Sequence, residues 1–280
     1  MSEQWSVGGP RVIEVGGADE PVHQLVIAVI AGRVDVVAHD QDEARVEVGE
    51  VRGRDLEVAW DDGVLSISHP QLRWDSLLEG LRGLGRREDS AEISIAVPRG
   101  TTVQLGTVSA DGLLAGVQSP AAVRTVSGSL VLDGVYGAVS ARTVSGRIDV
   151  RDQHGPLSGE SVSGSLTVHG VDLPELDVKT VSGALAVDLH GSPSRIRCKS
   201  VSGDLTVRIP ATAGFRLTAK TVSGRVVADG RHIGERRPGR TKGEVRDGDE
   251  SVQIDAGSVS GDVTVLRPSA RSYDDAGVTA

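Results

Sequence analysis

Three His-Gly pairs, His154-Gly155, His169-Gly170 and His190-Gly191, are the residues whose type best suits transition-metal binding, because a neutral imidazole nitrogen is a good ligand. Their spacings of 15 and 21 residues share no period, so no common site is expected and no metal is assigned. Carboxylates are the next candidates. A glycan-active site needs acids clustered on one face, often with basic neighbours, whereas Asp111, Asp133, Asp149, Asp204 and Asp262 fall at different turn positions. No serine stands in a nucleophile-elbow context. The single cysteine, Cys198, excludes an intrachain disulfide and a thiolate metal cluster. No catalytic residue is assigned, no cofactor is expected, and the chain reads as a non-enzyme; a glycan-active enzyme is the least favoured alternative.

The residues that do recur with a period carry binding chemistry instead. Arg124, Arg142, Lys179, Lys199 and Lys220 each stand immediately before a repeated four-residue phrase, and Glu160 interrupts the series. If the copies stack, like charges come within about 5 Å of one another. Such a column would attract an anionic polymer or an acidic protein; the plainer reading is a solvated face that discourages sideways aggregation. The phrase is itself rich in hydroxyls, so Thr125, Ser127, Thr143, Ser145, Thr180 and Ser182 are candidates for a ligand-binding ladder. Their plainer role is hydrogen bonding within turns and between copies.

These candidates depend on the elements that position them. Thr107-Val-Ser-Ala opens a series in which Thr125, Thr143, Ser161, Thr180, Ser200, Thr221 and Ser258 are each followed by Val-Ser-Gly. The steps are 18, 18, 18, 19, 20, 21 and 37 residues. Alternating apolar pairs follow the phrase, such as Leu130 and Leu132 or Leu185 and Val187, and short alternating runs such as Leu176-Asp-Val178 precede it. Alternation of period two is strand. A unit this short cannot bury its own apolar face, so the copies must stack, each strand pairing in parallel with its counterpart. The expected fold is all-β: a parallel β-solenoid (β-helix) of about eight short coils with an N-terminal β-rich cap.

Which side chains of the phrase face inward is read two ways. Counting back from Leu185 and Val187 puts Val181 inside and Thr180 and Ser182 outside; counting forward from Leu176 and Val178 puts Thr180 and Ser182 inside. Both hold only if the strand slips by one residue at a bend. Valine inside is the expectation, because eight exposed valines would form an apolar stripe that a soluble rod should avoid unless it has a partner.

The remaining segments complete the domain plan. Residues 1–21 are an N-terminal extension, and residues 22–106 form the cap. Asp62-Gly63 there marks a hairpin. Trp74, Leu77, Leu78, Leu81 and Leu84 predict a short helix over 74–84 within it. The solenoid occupies 107–267, with a glycine- and arginine-rich loop insertion at 229–250, and 268–280 is expected to be a disordered tail. Aromatic residues make up only 2% of the chain, so stacked small aliphatic side chains must fill the core. A net charge of −9 argues against a general nucleic-acid or membrane-surface binder. The start lacks a secretion signal, and Leu25 to Ala31, the longest apolar run, is too short to span a bilayer, so a cytoplasmic location is expected.

The repeated Thr-Val-Ser-Gly-x-Leu-x-Val, together with Gly32-Arg-Val-Asp-Val36, Val97-Pro-Arg-Gly100 and the Gly248-Asp-Glu-Ser-Val-Gln-Ile254 run before the last phrase, resembles the putative-adhesin family of bacterial β-strand-repeat proteins, a domain of unknown function. The resemblance covers roughly residues 22 to 267. It implies a β-solenoid with a β-rich cap and no established enzymatic activity, and supplies no catalytic residues. The favoured function is a non-enzymatic interaction or scaffold protein, adhesin-like, with an unknown protein or anionic polymer along the solenoid face. A self-assembling, cytoskeleton-like solenoid is the alternative, and homo-oligomerisation stays open.

Overall fold

The computed structural model describes residues 2–70, 72, 89–191, 194–237 and 240–268, and among them there are strands and turns but no helix. The expected helix over 74–84 and the tail from 269 onward lie outside the described residues.

The strands form two parallel-rich sheets. In spatial order, the first sheet of 14 strands runs Glu3–Val7, Leu56–Asp61, Val64–Ser68, Gln24–Val29, Thr102–Thr107, Ala121–Thr125, Val139–Thr143, Leu157–Ser161, Glu175–Thr180, Ser194–Ser200, Val252–Gly257, Phe215–Thr221, Arg240–Asp247 and Glu235–Arg237. The second, of 13 strands, runs Arg11–Gly16, Glu43–Arg52, Ser90–Pro98, Ala31–His39, Asp111–Ala115, Ser129–Asp133, Arg147–Arg151, Leu166–Val171, Leu185–Leu189, Leu205–Arg208, Val263–Leu266, Val226–Ala228 and Arg231–His232. From Ala121 to Arg208 the chain passes from one sheet to the other through each phrase, and each strand pairs in parallel with its counterpart one repeat earlier, as Arg142 does with Arg124 and Ile148 with Leu130. An alternating strand buries one face only. The inward residues of both sheets therefore make one core, from Val7 and Leu25 through Leu130 and Val187 to Val263, built of valine, leucine, isoleucine and alanine with Phe215 near its end.

Sequence order fails as a guide to spatial order at both ends. Gln24–Val29 and Ala31–His39 slot between strands that follow them, pairing in parallel with Val64–Ser68 and Thr102–Thr107 in one sheet and with Ser90–Pro98 and Asp111–Ala115 in the other. At the far end, Val252–Gly257 and Val263–Leu266 return to lie between the Ser200 and Thr221 repeats. The cause is visible in the 37-residue step. The segment expected to be an exposed loop at 229–250 holds three strands, and Arg240–Asp247 takes the open edge of Phe215–Thr221 in antiparallel pairing. With that edge filled, the last repeat inserts further back.

Candidate functional site

The phrase forms one long edge where the chain crosses between the sheets, and its orientation corrects the expectation of buried valines. Thr107, Thr125, Thr143, Thr180 and Thr221 are buried, whereas Val162, Val181, Val201, Val222 and Val259 are 48% to 49% exposed. The physical reason is the slip at a bend. Inward alternation runs through Val178 to Thr180, the backbone turns with Val181 and Ser182 both outward, and Gly183 and Leu185 point inward again.

Each glycine of the phrase is required by close approach between copies. A Cβ at Gly146 would meet Gly128 O at 2.2 Å, one at Gly183 would meet Gly164 O at 1.9 Å, and one at Gly224 would meet Gly261 O at 2.1 Å. Only a residue without a side chain fits there. The first hydroxyl column ties the turn beneath it: Ser161 Oγ donates to Gly164 O at 2.6 Å and Ser200 Oγ to Gly203 O at 2.8 Å. The second ties one copy to the next. Ser127 Oγ donates to Val108 O at 3.2 Å, Ser145 to Val126 O at 3.1 Å and Ser182 to Val162 O at 3.3 Å. Of the candidate ladder, Thr125, Thr143 and Thr180 therefore lie inside the protein, and Ser127, Ser145 and Ser182 are exposed but bonded to the scaffold.

The basic column stands beside this edge on the outer face of the first sheet. Arg124 is in register with Arg142, which bonds Glu160 at 3.1 Å; Lys179 lies 3.9 Å from the same carboxylate. Lys179 is in register with Lys199. Lys199 and Lys220 are not neighbours, as equal stacking of sequential repeats would have them, because the inserted strand puts Gly257 between them. Beyond Lys220 lies Lys242. Lys199, Lys220 and Lys242 make no ion pair among the described residues, so the positive charge is concentrated toward the C-terminal end of the column. Asp255 and Glu244 lie one outward column further from the edge.

The three His-Gly pairs do not converge. His154 stacks on Tyr136 with centroids 4.4 Å apart, His169 lies 3.9 Å from Asp149 on the second sheet, and His190 approaches Gly170. No group of three or more metal-capable side chains occurs among the described residues. The carboxylates are bound into the scaffold: Asp111 accepts the Ser129 amide at 2.8 Å, Asp204 accepts the Asp262 amide at 2.8 Å, and the Arg225 amide and guanidinium hold the Asp262 carboxyl below its usual range. Cys198 is buried, which pushes its thiol up to about 11 and makes it a poor nucleophile.

One polar cluster escaped the sequence. Asp89, which is buried, takes three hydrogen bonds from half-buried Arg54 at 2.7 to 2.9 Å. Nearby, buried His69 accepts the Ile30 amide at Nδ1 and has no partner at Nε2 among the described residues; burial pushes it down to about 4. Neither residue belongs to a periodic motif, so no spacing pointed to it. The same corner holds Leu72, packed with Ala28 and Ile30 and against Val108 and Val126, the first valines of the exposed edge.

Fold and site together define an all-β repeat protein whose recurring residues serve the scaffold and one apolar, partly basic edge. The chain belongs to the Toastrack DUF4097 family, whose model matches residues 22–266. It is similar in fold to a protein described as a putative lipid binding protein from Parabacteroides distasonis, at 16% identity over 93% of this chain and 98% of that one, with a TM-score of 0.52. It also resembles a putative adhesin from Bacteroides fragilis (8% identity, 92% and 97% covered, TM-score 0.49) and one from Parabacteroides merdae (13%, 92% and 97%, 0.44). A search of curated proteins found no match.

Proposed function

We propose that the chain is a non-enzymatic interaction scaffold, a parallel β-solenoid of about eight coils, adhesin-like, that binds an anionic polymer or acidic protein along its basic column. The observation that carries this reading is the set of Lys199, Lys220 and Lys242, exposed on one sheet face, with Gly257 between the first two, and without ion-pair partners among the described residues. Long, regular faces are the usual binding surfaces of stacked-repeat proteins. Catalysis has no part in it, since the recurring acids are engaged by backbone amides and arginines. The names of the structural relatives, adhesins and a lipid binder, fit a binding role.

The test is affinity capture from native lysate with the full chain and with its Lys199→Glu/Lys220→Glu/Lys242→Glu variant. A partner specific to the native chain, lost in the variant and weakened by added salt, is expected. Equal capture by both removes the basic column from the reading.

A further inference from the structure

The second sheet carries a cleft of about 650 Å³ on its outer face, near the N-terminal end and on the other sheet from the basic column. Four neighbouring strands build it, Arg11–Gly16, Glu43–Arg52, Ser90–Pro98 and Ala31–His39. One outward row crosses all four, since Val12 pairs with Glu47, Glu47 with Ser94 and Ser94 with Asp35. In the next row Gly49 and Glu50 together oppose Glu92 in a bulge, and Glu92 pairs with Arg33. A bulge bends its strand. The middle of both rows is small, so Gly49 and Ser94 form a floor between Val12 on one side and the Arg33–Asp35 pair on the other. The volume lies within the range of about 300–1,000 Å³ usual for small-molecule sites.

Its polar groups are unmet by the protein. Asp35 Oδ2 accepts from Arg33 Nε at 2.8 Å, but Asp35 Oδ1 is buried and has no hydrogen-bond partner among the described residues. A buried acceptor left unpaired is unfavourable, and folded proteins seldom keep one without a reason. The Ser94 hydroxyl, the Glu92 carboxylate and the Arg11 guanidinium line the same cleft and make no hydrogen bond among the described residues. Both signs of charge stand around it, Arg11 and Arg33 against Asp35, Glu47 and Glu92, so a simple cation or anion meets like charge within the cleft. A neutral ligand avoids that conflict. Hydroxyl groups donate and accept at once, and so can serve the free carboxylate oxygens and the free guanidinium together. Val12, 53% exposed, adds an apolar wall of the kind that the C–H face of a sugar ring can cover.

We propose that this cleft is a binding site for a short neutral glycan. One ligand hydroxyl donates to Asp35 Oδ1, a second hydroxyl bonds Glu92 and Ser94, and Arg11 donates to a ligand oxygen at the rim. Arg33 holds the Asp35 carboxylate in place through its other oxygen. Because the glycan is uncharged, it needs nothing from Lys199, Lys220 or Lys242, and the site is independent of whatever binds the basic column.

The experiment is saturation-transfer NMR of the full chain with maltose, cellobiose, lactose, mannobiose and chitobiose, each at up to about 10 mM. At least one of these disaccharides is expected to bind. Asp35→Ala, which removes the free acceptor, and Gly49→Gln, which fills the floor, should each weaken that binding roughly tenfold or more. A Cβ at Gly49 meets nothing closer than 3.6 Å, so the second variant tests the site without disturbing the fold, and circular dichroism checks both. The Lys199→Glu/Lys220→Glu/Lys242→Glu variant should bind the same disaccharide as the native chain does, which separates failure of this site from failure of the basic column. Absence of binding by every disaccharide overturns the proposal, as does binding that survives both Asp35→Ala and Gly49→Gln. Tighter binding of 1,6-diaminohexane or of hexanoate than of any disaccharide, lost in the same two variants, overturns the assignment of a neutral ligand.

Discussion

Thr180 Oγ1 accepts the Gly183 amide at 2.9 Å and lies 3.2 Å from the Gly183 carbonyl, so one buried hydroxyl closes the turn at both ends of the same residue. Thr221 accepts from Gly224 at 3.0 Å and Ser258 from Gly261 at 2.7 Å in the same way. The hydroxyl that looked like a surface ligand-binding group is a structural part of the bend.

Replacing Thr180 with the isosteric valine should cost about 2 kcal/mol, because it leaves the buried Gly183 amide without an acceptor. Thr180→Ser should cost less than half as much, since Ser161 and Ser200 fill the same position in neighbouring repeats. Urea denaturation of the two variants measures the difference, and equal losses would assign the effect to the methyl group.

Gly183→Ala should destabilise by about 3 kcal/mol or more, its Cβ falling 1.9 Å from a backbone carbonyl that cannot move without disturbing the next copy. Gly257→Ala is the control. A Cβ there meets nothing within 4 Å, and the change should stay below about 1 kcal/mol. The same denaturation experiment compares them.

Asp89→Asn should cost about 3 kcal/mol by leaving the Arg54 guanidinium beside a neutral group in a buried place. Asp35→Asn, which breaks the more exposed Arg33 pair, should cost under about 1 kcal/mol. Thermal melting of both variants at one pH provides the comparison.

His69 makes stability fall with acid. Its folded pKa of about 4 lies below the ordinary histidine value of 6.5, so between those values the unfolded chain takes up a proton that the folded chain refuses. The penalty is absent above pH 6.5, grows as pH falls through this window, and reaches about 3 kcal/mol near pH 4. Asp89 acts in the same direction: burial pushes it up, but the Arg54 bonds hold it lower overall, and its contribution is lost at still lower pH. His69→Asn, which keeps an acceptor for the Ile30 amide, should flatten the dependence of unfolding free energy on pH between 6.5 and 4. An unchanged slope would move the proton uptake elsewhere.

The sequence by itself determined that the chain is built of stacked strands, because period-two alternation and a repeat of about 18 residues admit few other ways to bury Leu130, Leu132 and their equivalents. It also placed the basic column, since a residue always before the same phrase must recur at the same place on the surface. The tertiary structure alone decided three things. The bend at Val181 and Ser182 breaks the alternation by one residue, so counts from the two flanking strands conflict and only backbone geometry chooses between them. The return of Val252–Gly257 between earlier strands is a matter of which edge is already filled, and that depends on the antiparallel strand Arg240–Asp247, whose pairing no local spacing encodes. The union of Arg54, His69 and Asp89 joins residues from separate strands and turns, and burial turns ordinary side chains into a titrating, charge-paired cluster that composition cannot reveal.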